Sequence, residues 1–385
     1  MLVTYNAPNR AHHYAYATAL ARAESLQRFV CGFSRFSPRA GLPELDGKIR
    51  RADHLQNFYL ASLRFKAPQW LCEELTHWSK IWIDACSERD ARRSDIFLFY
   101  SGAGLRTLQR LKATSTKAIV EAVNSHVVVQ KRILEEEHER LGLPVQGFHD
   151  REVARRVEEI EQADGIICPS TFVRDSFLEQ GVSPDRLRIV PYGVEFPSNQ
   201  EPKVKDGDAF RVLFVGQINL RKGLRYLLEA FRKLRHPKKE LWVVGPMTAQ
   251  SGIDDVPLQE GVRFLGVLKG ERLDWAYRNC DVFVLPSIEE GFGLVMGEAM
   301  SHGLPVIATV NTGVNHLFDE GTAGFRVPIR SSEAIYEKLQ LLADDPALLE
   351  EISSRTTDSS GLQTWEQVGQ KLVKALKDFE GMPKL

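Results

Sequence analysis

Short apolar runs alternate along the chain with longer stretches in which apolar residues return every three or four positions. The second half shows this most plainly. "RVLFV" (211–215) is a β-branched run that stops at Gly216. Beyond it, Leu224, Leu227, Leu228, Phe231 and Leu234 keep helical spacing, one apolar stripe on one helix. "LWVV" (241–244), "VRFLG" (262–266), "DVFVLP" (281–286), "LPVIAT" (304–309) and "GFRVP" (324–328) repeat the strand pattern. Strands punctuated by Gly and Pro and separated by helical segments predict right-handed βαβ units and a parallel sheet.

The first half carries a fainter version. "MLVTY", "RFVCGF", "DIFLFY" (95–100), "KAIVEAV" (117–123) and "GIICP" (165–169) predict strands, and "HHYAYATALARA" predicts a helix. Residues 46–92 form a long Trp-rich helical stretch, read as an insertion or helical arm of the first domain. "VPYGVEFPSNQEPKVKDGD" (190–208) is rich in Pro, Gly and charge and lacks a period, as a linker does. "TWEQVGQKLVKALKDF", after Gly361, predicts an amphipathic C-terminal helix.

Length and composition narrow the class. A chain of 385 residues accommodates two domains of roughly 150–200 residues each. A net charge of −1 gives no global field for nucleic acid or anionic lipid, although local basic patches stay open. Five cysteines, an odd number with no CxxC pair, argue against a disulfide or zinc framework and for a reducing compartment. The first residues, "MLVTYNAPNRAHH", show no basic segment leading into an apolar one, and no apolar run reaches the ~20 residues of a membrane span. The expectation is a soluble cytoplasmic protein.

The densest candidate chemistry is "EEGFGLVMGEA" (289–299). A strand ends at Pro286, a loop carries Glu289 and Glu290, and a helix begins after Gly291 and Gly293 and runs to about His302, with Gly303 as its C-cap. Free N–H groups at such a helix start hold an anion or a sugar hydroxyl. Glu290 lies beside that end and Glu298 about one and a half turns further in. Carboxylates accept only, so each can take a pair of hydroxyl hydrogens from a polyhydroxylated ligand. The plain alternative is a solvated loop glutamate and a helix glutamate paired with a cation.

A second candidate is "VGQINLRKGLRYLL" (215–228), where Arg221 and Lys222 stand at a helix start. Cations are unfavourable at the positive end of a helix dipole. Two of them beside Gly223 make sense if an anion such as a diphosphate sits between them; otherwise the turn is an exposed basic one.

Other matches are weaker. "SGAGLRT" (101–107) half-resembles a dinucleotide loop, but Thr107 replaces the third glycine. Asp206-Gly207-Asp208 has an Asp-x-Asp form but lies in the linker and reads as solvated turn chemistry. His12, His13 and His126 stand near strand ends of one domain and could together line a cleft. "KIRRADHLQNFYLASLRFKAPQWL" (48–71) interleaves basic and aromatic residues. Such a stretch could make peripheral contact with a membrane surface or grip an acceptor, and a helix packed on its own domain is the favoured reading.

Together, "FVGQINLRKG", "LPSIEEGFGLVMGEAMSHGLPVIAT", "GTAGFRVP" and "CPSTFVRDSFLEQGVSPDRLRIVPYGVEF" resemble glycosyltransferase family 4, the retaining GT-B enzymes of glycosyl transferases group 1. The likeness is dense from about 150 to 330 and thin before that. It implies an α/β fold of two doubly wound Rossmann-like domains facing a central cleft. Residues 1–192 would be the acceptor-side domain and 193–360 the nucleotide-sugar domain, with 361–385 a helix crossing back to the first. It implies transfer of a hexose, with retention, from a UDP- or GDP-sugar to a glycan, lipid-linked or small-molecule acceptor, with no metal, no cofactor and no nucleic acid. By position, Glu298 would hold the ribose hydroxyls and Glu290 the transferred sugar. The donor would also meet Gly216, Gly291, Phe292, Gly293 and Leu294. Lys222, helped by Arg221, would neutralise the departing diphosphate. The acceptor would attack from the leaving-group face and pass its proton to a phosphate oxygen. His126 would be the first-domain histidine near the sugar, with Glu121 beside it.

Three departures stand against the family pattern. Gln217 replaces an arginine after the strand-ending glycine, and "YNAPNRAHH" replaces a glycine-rich first loop, leaving Arg10 and the helix start to face the diphosphate. His316 stands where an acid is usual. These departures give weight to an alternative, a non-catalytic sugar-nucleotide-binding protein on a degenerate GT-B fold. A GT-B epimerase is disfavoured by the carboxylate pair, most phosphorylases by the short chain, and a dinucleotide oxidoreductase by the lack of its fingerprint.

Overall fold

Among the described residues, the apolar runs assemble into two parallel sheets. The computed structural model describes residues 1–385 except 38, 66, 146–148, 198–206, 249 and 360, and residue 69 by its backbone only. Asp206 and the rest of linker residues 198–206 therefore lie outside the described residues. The first sheet contains β1 (Val3–Ala7), β2 (Leu26–Cys31), β3 (Ile49–Arg51), β4 (Ile96–Tyr100), β5 (Lys117–Glu121), β6 (Gly165–Cys168) and β7 (Leu187–Ile189), in the order β3-β2-β1-β4-β5-β6-β7. The second contains β8 (Phe210–Val215), β9 (Lys239–Val244), β10 (Val262–Gly266), β11 (Val282–Leu285), β12 (Val306–Thr309) and β13 (Gly324–Val327), in the order β10-β9-β8-β11-β12-β13.

Each sheet is doubly wound. The order reverses once, between β1 and β4 in the first (Val3 opposite Ile96) and between β8 and β11 in the second (Val212 opposite Val282). At such a switch point the loops leaving adjacent strands diverge, which opens a crevice at the carboxyl ends. Two Rossmann-like sheets of this kind make the GT-B fold that the sequence implied.

Helices α1 (His13–Arg22), α2 (His54–Arg64), α3 (Gln69–Ala91), α4 (Leu105–Leu111), α5 (Val127–Arg140), α6 (Asp150–Gln162) and α7 (Thr171–Glu179) accompany the first sheet. Helices α8 (Leu224–Lys233), α9 (Glu271–Arg278), α10 (Leu294–Ser301), α11 (Ser332–Asp344) and α12 (Pro346–Thr356) accompany the second. The last helix, α13 (Trp365–Glu380), starts with a capping box between Thr364 and Gln367 and packs against α1. The chain passes between the sheets beside this point, where Val194 N–H donates to Gln363 O at 2.8 Å.

The two halves are tied together well away from the cleft. On α5, Val129 and Ile133 share a core with Val212, Phe214 and Phe231 of the second half. On the same helix, buried Glu137 accepts from Tyr226 Oη (2.7 Å) and pairs with Arg330 (2.6 Å). Strand β3 falls inside the stretch 46–92 that the sequence predicts as helical, which is helical only from His54 onward, and β7 carries no sequence prediction of its own. Each is three residues long at a sheet edge, and partial burial leaves no apolar run to read.

Candidate functional site

The loops after β8 and β11 meet at the second sheet's switch point. Residues 220–222 make one 3-10 turn, with the Asn219 side chain accepting from Lys222 N–H at 3.1 Å. The two loops are stitched by Ile288 N–H donating to Arg221 O at 2.8 Å. The turn therefore aims Arg221 and Lys222 at the segment 288–293. Glu290 N–H donates to Asn311 O at 3.0 Å, fixing the carboxylate from the other side. Gly293 then takes a left-handed conformation (φ 88°) as N-cap of α10. Gly291 is required for a different reason: a Cβ there would lie 1.8 Å from Val123 O, because this loop presses on the first sheet's loops.

Lys222 Nζ and Arg221 Nη1 (3.1 Å) both donate to Glu290 Oε2. Burial alone would raise the Glu290 carboxyl, but the two cations hold it down to about 2. Glu290 in turn raises the Arg221 guanidinium against the lowering effect of burial. Glu289 Oε2 also lies 3.5 Å from Arg221, so two carboxylates balance the two cations, and an anion beside the first turn of α8 must compete with Glu290 for them.

Glu298 lies on α10 and faces a cleft of about 2250 Å³ between the two sheets. Tyr277 Oη donates to its Oε2 at 3.0 Å, and burial pushes the carboxyl above its ordinary value. Arg10, His12, Glu195, Asp274, Tyr277 and Leu294 share the cleft wall with it. Glu290, Arg221 and Lys222 stand on the same structural unit but spend their charges on one another. Gly216 follows β8, near the Lys222 chain. Phe292 points into the core, its ring centroid 5.4 Å from that of Tyr192.

The first sheet supplies a buried polar cluster to the opposite wall. Glu121, at the end of β5, accepts from Tyr5 Oη (2.7 Å) and meets His12 Nε2 (2.6 Å) and His13 Nδ1 (3.2 Å). Tyr192 stacks on the His12 ring with centroids 3.9 Å apart. Burial first, and His13 second, lower the His12 pKa to about 4, so the ring is neutral near neutral pH. One donor atom each from His12, His13 and Glu121 lie within 4.8 Å, a set of the type that divalent metals accept, but these atoms already satisfy one another.

The three histidines named from sequence separate. His12 lines the cleft and His13 is buried behind it. His126 is the N-cap of α5: its Nδ1 accepts from Val128 N–H at 3.3 Å and its ring packs edge-on against Phe177. His316 Nε2 accepts the N–H of Thr171 at the start of α7, so this residue ties the halves together. Gln217 is exposed. The "SGAGLRT" loop is internally occupied, since Gly102, Gly104 and Leu105 N–H groups donate to buried Glu159, while Arg106 and Thr107 N–H groups donate to Asp84. No phosphate could use these amides without displacing a carboxylate. Asp208 pairs with Lys238 at the surface.

Sequence reasoning gave no role to Glu289, Tyr277 or Tyr192. Glu289 is fully buried and accepts from Ser125 N–H (3.0 Å), Ser125 Oγ (2.8 Å) and Gln130 Nε2 (2.9 Å) across the interface. Its partners lie 159 and 164 residues away, and no local spacing signals such pairs.

Residues 195–358 match the family described as Glycosyl transferases group 1. An uncharacterized glycosyltransferase of Methanocaldococcus jannaschii is 30% identical over 212 residues, covering 50% of this chain and 54% of that protein. The chain spans about half the length of the curated relatives it matches. Among solved structures, sucrose-phosphate synthase from Thermosynechococcus elongatus superposes with TM-score 0.69 at 18% identity, covering 98% of each chain. HepE of Anabaena in complex with UDP-glucose superposes with TM-score 0.65 at 16% identity, covering 98% of this chain and 99% of that one. At those identities the two structures speak for the fold.

Proposed function

With residues 195–358 matching the glycosyl transferases group 1 family, we propose that the protein is a glycosyltransferase. It moves a hexose from a nucleoside-diphosphate sugar, UDP- or GDP-linked, to a glycan, lipid-linked or small-molecule acceptor, with retention and without a metal. The observation that carries this reading is one loop and helix, 289–298, with a carboxylate at each end. Glu298 faces the cleft beside Tyr277, and Glu290 is gripped by Lys222 and Arg221. HepE, crystallised with UDP-glucose, shares the fold.

Glu298 would accept the ribose hydroxyls, its hydrogen bond from Tyr277 fixing the direction of the remaining lone pairs. The diphosphate would bind against Lys222 and Arg221 and the N–H groups around Gly291, Gly293 and Leu294, partly replacing Glu290 as their counter-charge. Glu290, released from one cation, would take the hexose hydroxyls. His12 offers a neutral ring on the facing wall, held by Glu121. In the transfer, the bond from the anomeric carbon to the diphosphate oxygen breaks. The acceptor oxygen bonds the same face of that carbon, and its proton passes to a phosphate oxygen. The cations stabilise the charge that develops on the leaving group, and the first sheet's wall excludes water.

The test is release of nucleoside diphosphate from a panel of UDP- and GDP-sugars, with and without added acceptors. The reading requires turnover by the wild type that Lys222→Ala cuts by roughly 100-fold or more. Nucleotide binding without turnover across a broad acceptor panel would point to a non-catalytic binder.

A further inference from the structure

A soluble protein seldom leaves several large aromatic side chains exposed side by side. Here they gather on one feature, the α2–α3 hairpin and the loop packed at its base. Phe65 (80% exposed) and Trp70 (64%) flank the hairpin tip, and Phe58 (65%) lies midway along α2. Trp78 and Trp82, one turn apart on α3, continue the exposed surface, and Phe36 (82%) stands in the loop joining β2 to β3.

The orientation follows from how α3 is held. Ser79, Ile83 and Ser87 bury one face of α3 against the sheet. Its near flank is pinned to α6 by Glu73–His149 (2.8 Å), Glu74–Arg151 and Lys80–Glu152 (3.0 Å). At helical spacing, Trp70, Trp78 and Trp82 fall opposite the buried face and remain outside. On α2, Ser62 is buried while Phe58, Leu63 and Arg64 are exposed.

Charge selects the kind of surface this tip fits. Residues 54–72 contain no Asp or Glu, and their cations are Arg64 and Lys66. The whole chain totals −1, so the remainder outside this segment carries a net −3. The acids that follow on α3, Glu73 and Glu74, are paired with His149 and Arg151. Exposed Phe and Trp beside Arg64, with the neighbouring acids neutralised, match the interface of an anionic bilayer, where aromatic rings settle among the headgroups and cations meet lipid phosphates. The same region borders the cleft: Arg35, next to Phe36, holds Asp53 at the start of α2 (2.6 Å), and Arg39 and Leu42 of that loop line the cleft wall.

We propose that the α2–α3 hairpin docks this protein on an anionic phospholipid surface and so sets the first-sheet side of the cleft against the membrane. Where the glycosyltransferase reading also holds, the docked geometry selects a lipid-linked acceptor from the three acceptor classes. The docking itself does not depend on that reading, because it is measured without turnover.

The experiment is vesicle co-sedimentation of the full chain. Vesicles are phosphatidylcholine alone or phosphatidylcholine with 30–40% phosphatidylglycerol (roughly physiological anionic content). The variants are Phe65→Ser/Trp70→Ser and Arg64→Glu, all at exposed positions, with melting temperature and light-scattering mass recorded for each. The wild type is expected to bind the anionic vesicles, to lose most binding on phosphatidylcholine or at high salt, and to lose at least tenfold in affinity in both variants at unchanged melting temperature. Absence of wild-type binding, or equal binding by the double variant, overturns the proposal. So does a wild-type dimer that these variants dissociate, which would make the patch a contact between copies. Vesicle binding with no sugar transfer would overturn the acceptor reading and leave the docking intact.

Discussion

Glu289 and Glu290 are consecutive in the chain, and their carboxylates serve different halves of the molecule. Glu289 accepts from Ser125 and Gln130 across the interface, while Glu290 is held by Lys222 and Arg221 within the second half. Arg221 touches both, at 3.5 Å from Glu289 Oε2 and 3.1 Å from Glu290 Oε2. An anion drawn to Arg221 and Lys222 therefore competes with Glu290 and leaves the Glu289 interface bonds in place.

Lys222→Ala should show this at the level of chemistry. Removing one preorganised cation from a leaving group costs roughly 100- to 1,000-fold in kcat. The fold should survive, because the Lys222 side chain bonds only Glu290 among the described residues. Steady-state kinetics, with melting temperature as control, checks both halves of this statement.

Glu289→Ala should act on stability first. It strands three buried donors, Ser125 N–H, Ser125 Oγ and Gln130 Nε2, and removes a charge partner of Arg221. The expected loss is about 2–3 kcal/mol in unfolding free energy. Calorimetry measures it, and an unchanged unfolding transition would mean that these cross-interface bonds contribute little.

His12 and His126 should part company. His126→Ala removes an N-cap and should cost about 1 kcal/mol of stability with little effect on turnover. His12→Ala, on the cleft wall, should cut turnover much more than it affects stability. A turnover collapse in His126→Ala alone would reverse this assignment.

The same histidine sets a pH dependence. His12 titrates at about 4 in the folded protein against an ordinary 6.5. Between those values the unfolded chain binds the proton and the folded one does not, so stability rises with pH through this window. It is complete above about 6.5 and falls as pH drops toward 4, by up to roughly 3 kcal/mol. Melting curves from pH 7 to 4.5 should slope more steeply for the wild type than for His12→Gln.

Much of this was legible before any coordinates. Among the strands that carry the site, β8 and β11 are apolar runs ending at Gly216 and Pro286, and β12 is an apolar run opened by Pro305. The site loops announce themselves through glycines whose necessity is local, as at Gly293. Three-residue edge strands were not legible, because half-buried residues such as Arg50 and Arg51 erase the apolar signal. The cluster of Tyr5, His12, His13 and Glu121 was legible only in pieces, since it forms when β1 and β5 reach the same end of one sheet from either side of β4. Glu289 shows the limit most clearly: its neighbour looked like the functional acid, and its own role depends on a contact between domains.

The central claim is that a nucleoside diphosphate sits between Glu298 and the Lys222–Arg221 pair. The most direct test is thermal stabilisation by UDP, GDP and their sugars, on the wild type and on Glu298→Ala. At about a hundred times its dissociation constant, the right nucleotide should add roughly 2.7 kcal/mol to the wild type, and the effect should collapse in the variant. Stabilisation that persists undiminished in Glu298→Ala, or a wild type that no nucleotide stabilises, would contradict the claim.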